Sequence, residues 1–177
     1  MRVLEIGPGS KPQAKQLWPD AIVTTMDADP NLKPDIVNDA REMPKRLYNQ
    51  FDHLLASHVL EHIPWWSTVE ALKEWAKVVK PGGSVHVVVP SLEWAAREIL
   101  SENPSKAVIP HLYAGVTTAW DVHLAGFTMR RLRAVFEAAG LSVTRARSGP
   151  YHINILGEVM EAEQHYVCGM RVEGMKQ

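Results

Sequence analysis

Gly7 and Gly9 close the apolar run Val3-Leu4-Glu5-Ile6, and the turn Gly7-Pro8-Gly9 lets the main chain approach a ligand closely. Amides at the start of the following helix can meet anionic groups. An acid then ends each of the next two apolar runs. Asp27, with Asp29 behind it, can hold the two hydroxyls of a ribose, as an acid at the end of a second strand does. Asp39, just past Val37, can accept hydrogen bonds from an exocyclic amine. In that order the three features describe a site for a nucleotide-type ligand.

A second set of residues suits proton transfer. His58 follows a fourth apolar run, where a neutral imidazole can accept a proton or orient its donor. Asp121 and His123 fall on one side of the chain if Trp120-Asp121-Val122-His123 is extended, which would make an orienting acid and a base. His111 and Tyr113 are further candidates of this kind. His58-Val-Leu-Glu61-His62 also matches the His-x-x-Glu-His pattern of some metallohydrolases. It lies between a sheet strand and Pro64, which leaves no long helix to carry metal ligands, so no metal is expected. Arg130, Arg131, Arg133, Arg145 and Arg147 would suit a phosphate-bearing acceptor if they cluster. Trp65 and Trp66 are expected to cover core edges, and His53, His86, His152 and His165 to be structural.

The elements that must position these groups alternate. Strand-like runs lie at 3–6, 21–27, 35–37, 52–57 and 84–89, with helical patterns between most of them, so the fold class is α/β with a parallel sheet covered on both faces. The first helix is short and begins at Lys11-Pro12. Ser67 and Glu70 form a capping-box pattern ahead of the stripe Leu72, Trp75, Ala76 and Val79. Lys80 falls in the last turn, before Pro81-Gly82-Gly83. A later helix runs from near Thr128 to Gly140, with strands at 141–147 and 165–172. The stretch 91–127 holds a helix at 92–101 and then an irregular segment. It sits on the carboxyl edge of the sheet, where a substrate lid belongs.

With 177 residues, the chain suits one domain, 1–177, with 91–127 as an insertion. A net charge of −1 argues against a strong nonspecific hold on nucleic acid. Cys168, the single cysteine, can form neither an internal disulfide nor a thiolate cage, which suits a reducing compartment, the cytoplasm. No secretion signal or membrane-spanning run is read.

Val-Leu-Glu-Ile-Gly-Pro-Gly, Thr-Met-Asp-Ala-Asp-Pro, Val-Asn-Asp-Ala-Arg-Glu-Met-Pro, Phe-Asp-His-Leu-Leu-Ala-Ser-His-Val-Leu-Glu-His and Val-Lys-Pro-Gly-Gly, in that order, resemble class I S-adenosylmethionine-dependent methyltransferases over about residues 3–147. The resemblance implies a Rossmann-like, doubly wound, seven-stranded sheet with an antiparallel last strand. It implies S-adenosylmethionine as cofactor and S-adenosylhomocysteine as product. Glu5, Gly7 and Gly9, with Pro8, would surround the methionine part, and Asp27, with Ala28, the ribose. Asp39 and the Ala40 amide would read the adenine, and Ser57 and His58 would lie near the sulfonium. The acceptor would be a small molecule, sugar or lipid, left open as an oxygen, nitrogen or carbon nucleophile. A nicotinamide dehydrogenase would want a third glycine where Pro12 stands. The family usually also has helices before the first strand, for which no room is expected here, so the site would be open, or closed by 91–127, by a second copy or by a partner subunit. A non-catalytic cofactor-binding subunit is the alternative.

Overall fold

The computed structural model describes residues 1–149 and the backbone of 169–176. Cys168, His152 and His165 lie outside these residues, as does the start of the strand expected at 165–172.

Five strands run parallel: β1 (Arg2–Ile6), β2 (Ile22–Asp27), β3 (Ile36–Val37), β4 (Phe51–Ser57) and β5 (Val79–Pro90). Beyond β5 the sheet continues antiparallel through β7 (Gly169–Lys176) to β6 (Leu141–Gly149), giving the order β3-β2-β1-β4-β5-β7-β6. The order reverses between β1 and β4, and at such a switch point the loops after neighbouring strands diverge and leave a crevice. The glycine turn follows β1, Asp27 ends β2 and His58 follows β4, so all three come to that crevice.

Alternation along the strands explains the two faces. Leu4, Ile6, Leu54, Ala56, Val85, Val87 and Val89 point into the main core, under α2 (Thr68–Val78) and α5 (Met129–Ala138). Trp75, Phe127 and Phe136 fill that layer and are fully buried. Val3 and Leu55 point the other way, into a smaller cluster with Ala14 and Ala21 beneath α1 (Ala14–Leu17). Trp18 closes this second face by stacking on His53 at 5.0 Å and meeting His86 edge-on at 4.8 Å.

Several local expectations need correction. Ser67 occupies the N-cap of α2, but its side chain makes no cap bond; the hydroxyl of Thr68 instead donates to the Trp65 carbonyl at 3.1 Å. The helix ends at Val78, so Lys80 belongs to β5, where its Nζ reaches Asp52 at 2.7 Å. The insertion is more helical than expected: α3 (Leu92–Ile99) is capped by Ser91, and α4 (Val108–Tyr113) follows. Pro110 fits inside α4 because the first turn leaves its N–H groups without helical acceptors. Trp65 and Trp66 are exposed and pack edge-on against one another. The five arginines stand on exposed parts of α5 and β6, and none is among the residues lining the cavity described below. Among the described residues, no helix is long and apolar enough to cross a membrane.

Candidate functional site

The crevice is an open cavity of about 540 Å³. One wall comes from the loops after β1, β2 and β3, with Gly7, Gly9, Asp27, Ala28, Asp39 and Ala40; the other comes from His58, Val59 and His62 and from Thr117–Asp121 of the insertion. That volume lies within the range of small-ligand sites.

The glycine turn is held from three sides. Gly7 and Gly9 have φ values of +60° and +57°, a left-handed backbone that side chains strain. The Gly7 amide donates to the Met26 carbonyl at 2.8 Å, which ties the turn to the end of β2. A Cβ at Gly7 would stand 2.5 Å from Val59 Cγ2, whereas one at Gly9 would meet nothing within 4 Å. Gly7 is therefore packed, and Gly9 is bare backbone beside the cavity.

Glu5 supports this turn from behind. It is 1% exposed, and its two carboxylate oxygens accept the amides of Gln13 at 2.5 Å and Ala14 at 3.0 Å. Gln13 offers α1 no side-chain cap, so Glu5 caps that helix from β1. Burial raises the Glu5 pKa above its ordinary value, and the two amide bonds only partly offset this. Glu5 is not among the cavity-lining residues, and neither are Pro8 and Ser57. In the structure the Glu5 carboxylate supports the loop through the Gln13 and Ala14 amides.

Asp27 presents an oriented carboxylate. Oδ2 accepts the Gly9 amide at 3.3 Å and Oδ1 the Asp29 amide at 3.0 Å. Each oxygen keeps a lone pair for a hydroxyl. Asp39 is bound more fully: Arg41 donates through Nε to both oxygens at 3.0 Å and through Nη2 to Oδ2 at 2.5 Å. The hydrogen bond from Arg41 is the main reason that the Asp39 pKa lies below its ordinary value. The Ala40 carbonyl accepts the Trp75 indole N–H at 2.7 Å, which fixes this corner to α2.

At the opposite wall, His58 leaves β4 with φ +56°, and its amide still donates to the Val88 carbonyl at 2.9 Å. Its side chain is 42% exposed, with Nδ1 3.1 Å from Glu61 Oε1. Desolvation works against the charged ring, but the hydrogen bond and charge of Glu61 outweigh it, so the His58 pKa is raised.

The structure does not join Asp121 to His123. The Asp121 carboxylate accepts from Thr117 Oγ1 at 2.8 Å and from the Gly115 and Thr117 amides, which close the 115–121 loop upon it. The Thr117 hydroxyl is the main cause of its lowered pKa. The ring of His123 turns to the His111 carbonyl, 3.1 Å from Nδ1, and burial lowers its pKa. The sequence showed Glu61 only within the His-x-x-Glu-His pattern, not as the partner of His58. Glu61 is 1% exposed, its carbonyl accepts the Leu124 and Ala125 amides at 2.7 and 2.9 Å, and its side chain faces His58. A glutamate three residues after a strand-end histidine was the available signal.

Comparison with known proteins agrees with this geometry. The methyltransferase domain family matches residues 1–146. No curated protein sequence matches the chain closely. Among solved structures, an S-adenosylmethionine-dependent methyltransferase from Methanosarcina mazei superposes with TM-score 0.67 at 16% identity, covering 99% of this chain and 92% of that one. A chain from the complex of the Haloferax volcanii Trm112 methyltransferase activator with a methyltransferase gives 0.66 at 17%, covering 98% and 81%. The mitomycin 7-O-methyltransferase MmcR gives 0.65 at 17%; it is matched over 99% of this chain and 49% of its own length, so the chain spans about half of it. The chain belongs to the methyltransferase domain family. It is a class I, S-adenosylmethionine-dependent methyltransferase with the Rossmann-like α/β fold.

Proposed function

We propose that the chain, acting as one domain with 91–127 as its acceptor-side insertion, transfers the methyl group of S-adenosylmethionine to a small acceptor that enters between His58 and Thr117–Trp120. The observation that carries this reading is the Asp27 carboxylate, held by two backbone amides beside the bare backbone of Gly9. Such an acceptor pair suits a vicinal diol, and the open Gly9 edge leaves room for the chain attached to it. The residues present thus fit the cofactor. Gly7, Gly9, Asp27 and Ala28 would hold its methionine and ribose parts, and Asp39 and Ala40 its adenine. Ser57 and Pro8 would shape the strand ends, with Glu5 as support.

When bound, S-adenosylmethionine supplies an electrophilic methyl group at its sulfonium. The protein's task is then chiefly alignment of the acceptor with that methyl group. For a hydroxyl acceptor, His58 is placed to take the proton at Nε2 while Glu61 holds Nδ1 and stabilises the charged ring. Asp121 shapes the acceptor wall through its loop, and His123 stands behind Glu61. The cytoplasm is the expected compartment.

Calorimetric titration with S-adenosylhomocysteine and NAD tests the cofactor assignment. Saturable binding of the first alone is expected, and tight NAD binding instead would refute it. A second reading is a subunit that needs a partner to complete the site. It is favoured by exposed Val116, Trp120 and Leu124 around the acceptor wall, and one structural neighbour comes from a complex with an activator. Cofactor binding without turnover, with turnover restored by a partner, would select it.

A further inference from the structure

We propose that Glu61, His62 and His123 form a mononuclear site for a divalent transition-metal ion of the zinc class. The three offer one carboxylate oxygen and two imidazole nitrogens, all within 4.8 Å of one another. Ligand atoms around a tetrahedral zinc with bonds of about 2.1 Å lie about 3.4 Å apart, so small side-chain rotations gather this set. One carboxylate with two neutral imidazoles is also the donor set of catalytic zinc and of non-haem iron sites.

Two observations point to an ion rather than to a satisfied core cluster. First, Glu61 is 1% exposed and its Oε2 is buried with no hydrogen-bond partner. An unmatched carboxylate oxygen in the interior is costly, and a cation is its strongest complement. Second, both imidazoles are oriented in the same way. His62 Nδ1 lies 3.0 Å from the Val122 carbonyl and His123 Nδ1 3.1 Å from the His111 carbonyl. A carbonyl oxygen can only accept, so each Nδ1 carries a proton and Nε2 is the nitrogen left to bind an ion. A backbone carbonyl on the far nitrogen is the usual outer support of a metal-bound histidine.

The set is not the one that His58-Val-Leu-Glu61-His62 suggests. That stretch has no long helix; only Leu60–His62 make a 3-10 turn, and His58 turns Nδ1 to Glu61 Oε1 at 3.1 Å, so that nitrogen is engaged with the carboxylate. His123 takes the place of His58 because the Leu124 and Ala125 amides dock on the Glu61 carbonyl. His62 also lines the cavity, so the ion would border the acceptor wall. Binding of the ion does not depend on the methyl-transfer reading.

The test is calorimetric titration of chelator-treated protein with zinc chloride, with cobalt(II) absorption as a second readout. One zinc per chain is expected. His62→Ala, His123→Ala and Glu61→Gln should each weaken it by at least about 100-fold, and the visible cobalt bands of the wild type should vanish. A thermal shift with S-adenosylhomocysteine checks that each variant is folded. Absence of stoichiometric zinc in the wild type overturns the site. So does equal zinc binding in the folded variants, which would mean attachment to other histidines. If Glu61→Gln fails to fold, the two histidine variants decide the matter, since neither ring is fully buried.

Discussion

At the residue scale, Gly7 and Gly9 share a backbone conformation but have different surroundings, so alanine should separate their roles. Gly7→Ala adds a methyl group against Val59 in a left-handed backbone and should cost about 1–3 kcal/mol of stability, read from denaturant unfolding. Gly9→Ala carries the same backbone strain without the clash, and its methyl group enters the space beside Asp27. It should lower the unfolding midpoint less than Gly7→Ala does, and it should also weaken S-adenosylhomocysteine affinity. Asp27→Asn should weaken that affinity by about 1.5–3 kcal/mol, roughly 10- to 150-fold, because hydrogen bonds to a charged acceptor are the stronger kind. An unchanged dissociation constant would remove Asp27 from the ribose. For a hydroxyl acceptor, His58→Ala should lower kcat by about 10²–10⁴-fold; full turnover in that variant would mean that another group takes the proton.

At the element scale, α1 depends on a side chain from another element. Glu5→Gln can no longer accept with both side-chain atoms, so the amides of Gln13 and Ala14 compete for one oxygen, and hydrogen exchange over 13–17 should quicken. The pH dependence has a definite sign. Burial raises the folded pKa of Glu5 above its ordinary value of 4.5. The stability that its proton contributes is therefore complete below the unfolded pKa and is lost as pH rises through the folded one. Wild type compared with Glu5→Gln should lose ground as pH climbs from about 4.5 through that folded value. A flat difference across this range would contradict the raised pKa. The strand-end residues were legible in the sequence because each apolar run stops at a residue that cannot continue it: Gly7, Asp27 and His58. The role of Glu5 was not, since its acceptors lie across a loop from its strand. α4 was hidden by Pro110, which reads as a breaker but sits in the one turn that tolerates it. The meeting of Glu61 with His123 depends on the docking of Leu124 and Ala125, which no local spacing encodes.

At the scale of the whole molecule, the cofactor loops join three strands, and a ligand seated on them should hold the folded state together. S-adenosylhomocysteine at 100 times its dissociation constant should add about 2.7 kcal/mol. For a chain of this size that is roughly 5–11 °C in Tm. NAD at the same concentration should leave Tm unchanged.

The two walls of the cavity come from separate stretches of chain. Residues 6–41 supply one, and 58–64 with 117–124 supply the other. The loop from Gly115 to Asp121 is closed largely on its own hydrogen bonds, through the Asp121 carboxylate and the bond from the Val116 amide to the Asp121 carbonyl. That self-contained closure makes the loop a cassette. On the proposed reading, in which this loop forms the acceptor wall, a graft between Ala114 and Val122 would change what the protein methylates while the donor side keeps its geometry, and acceptor choice and cofactor use would be free to diversify on separate clocks.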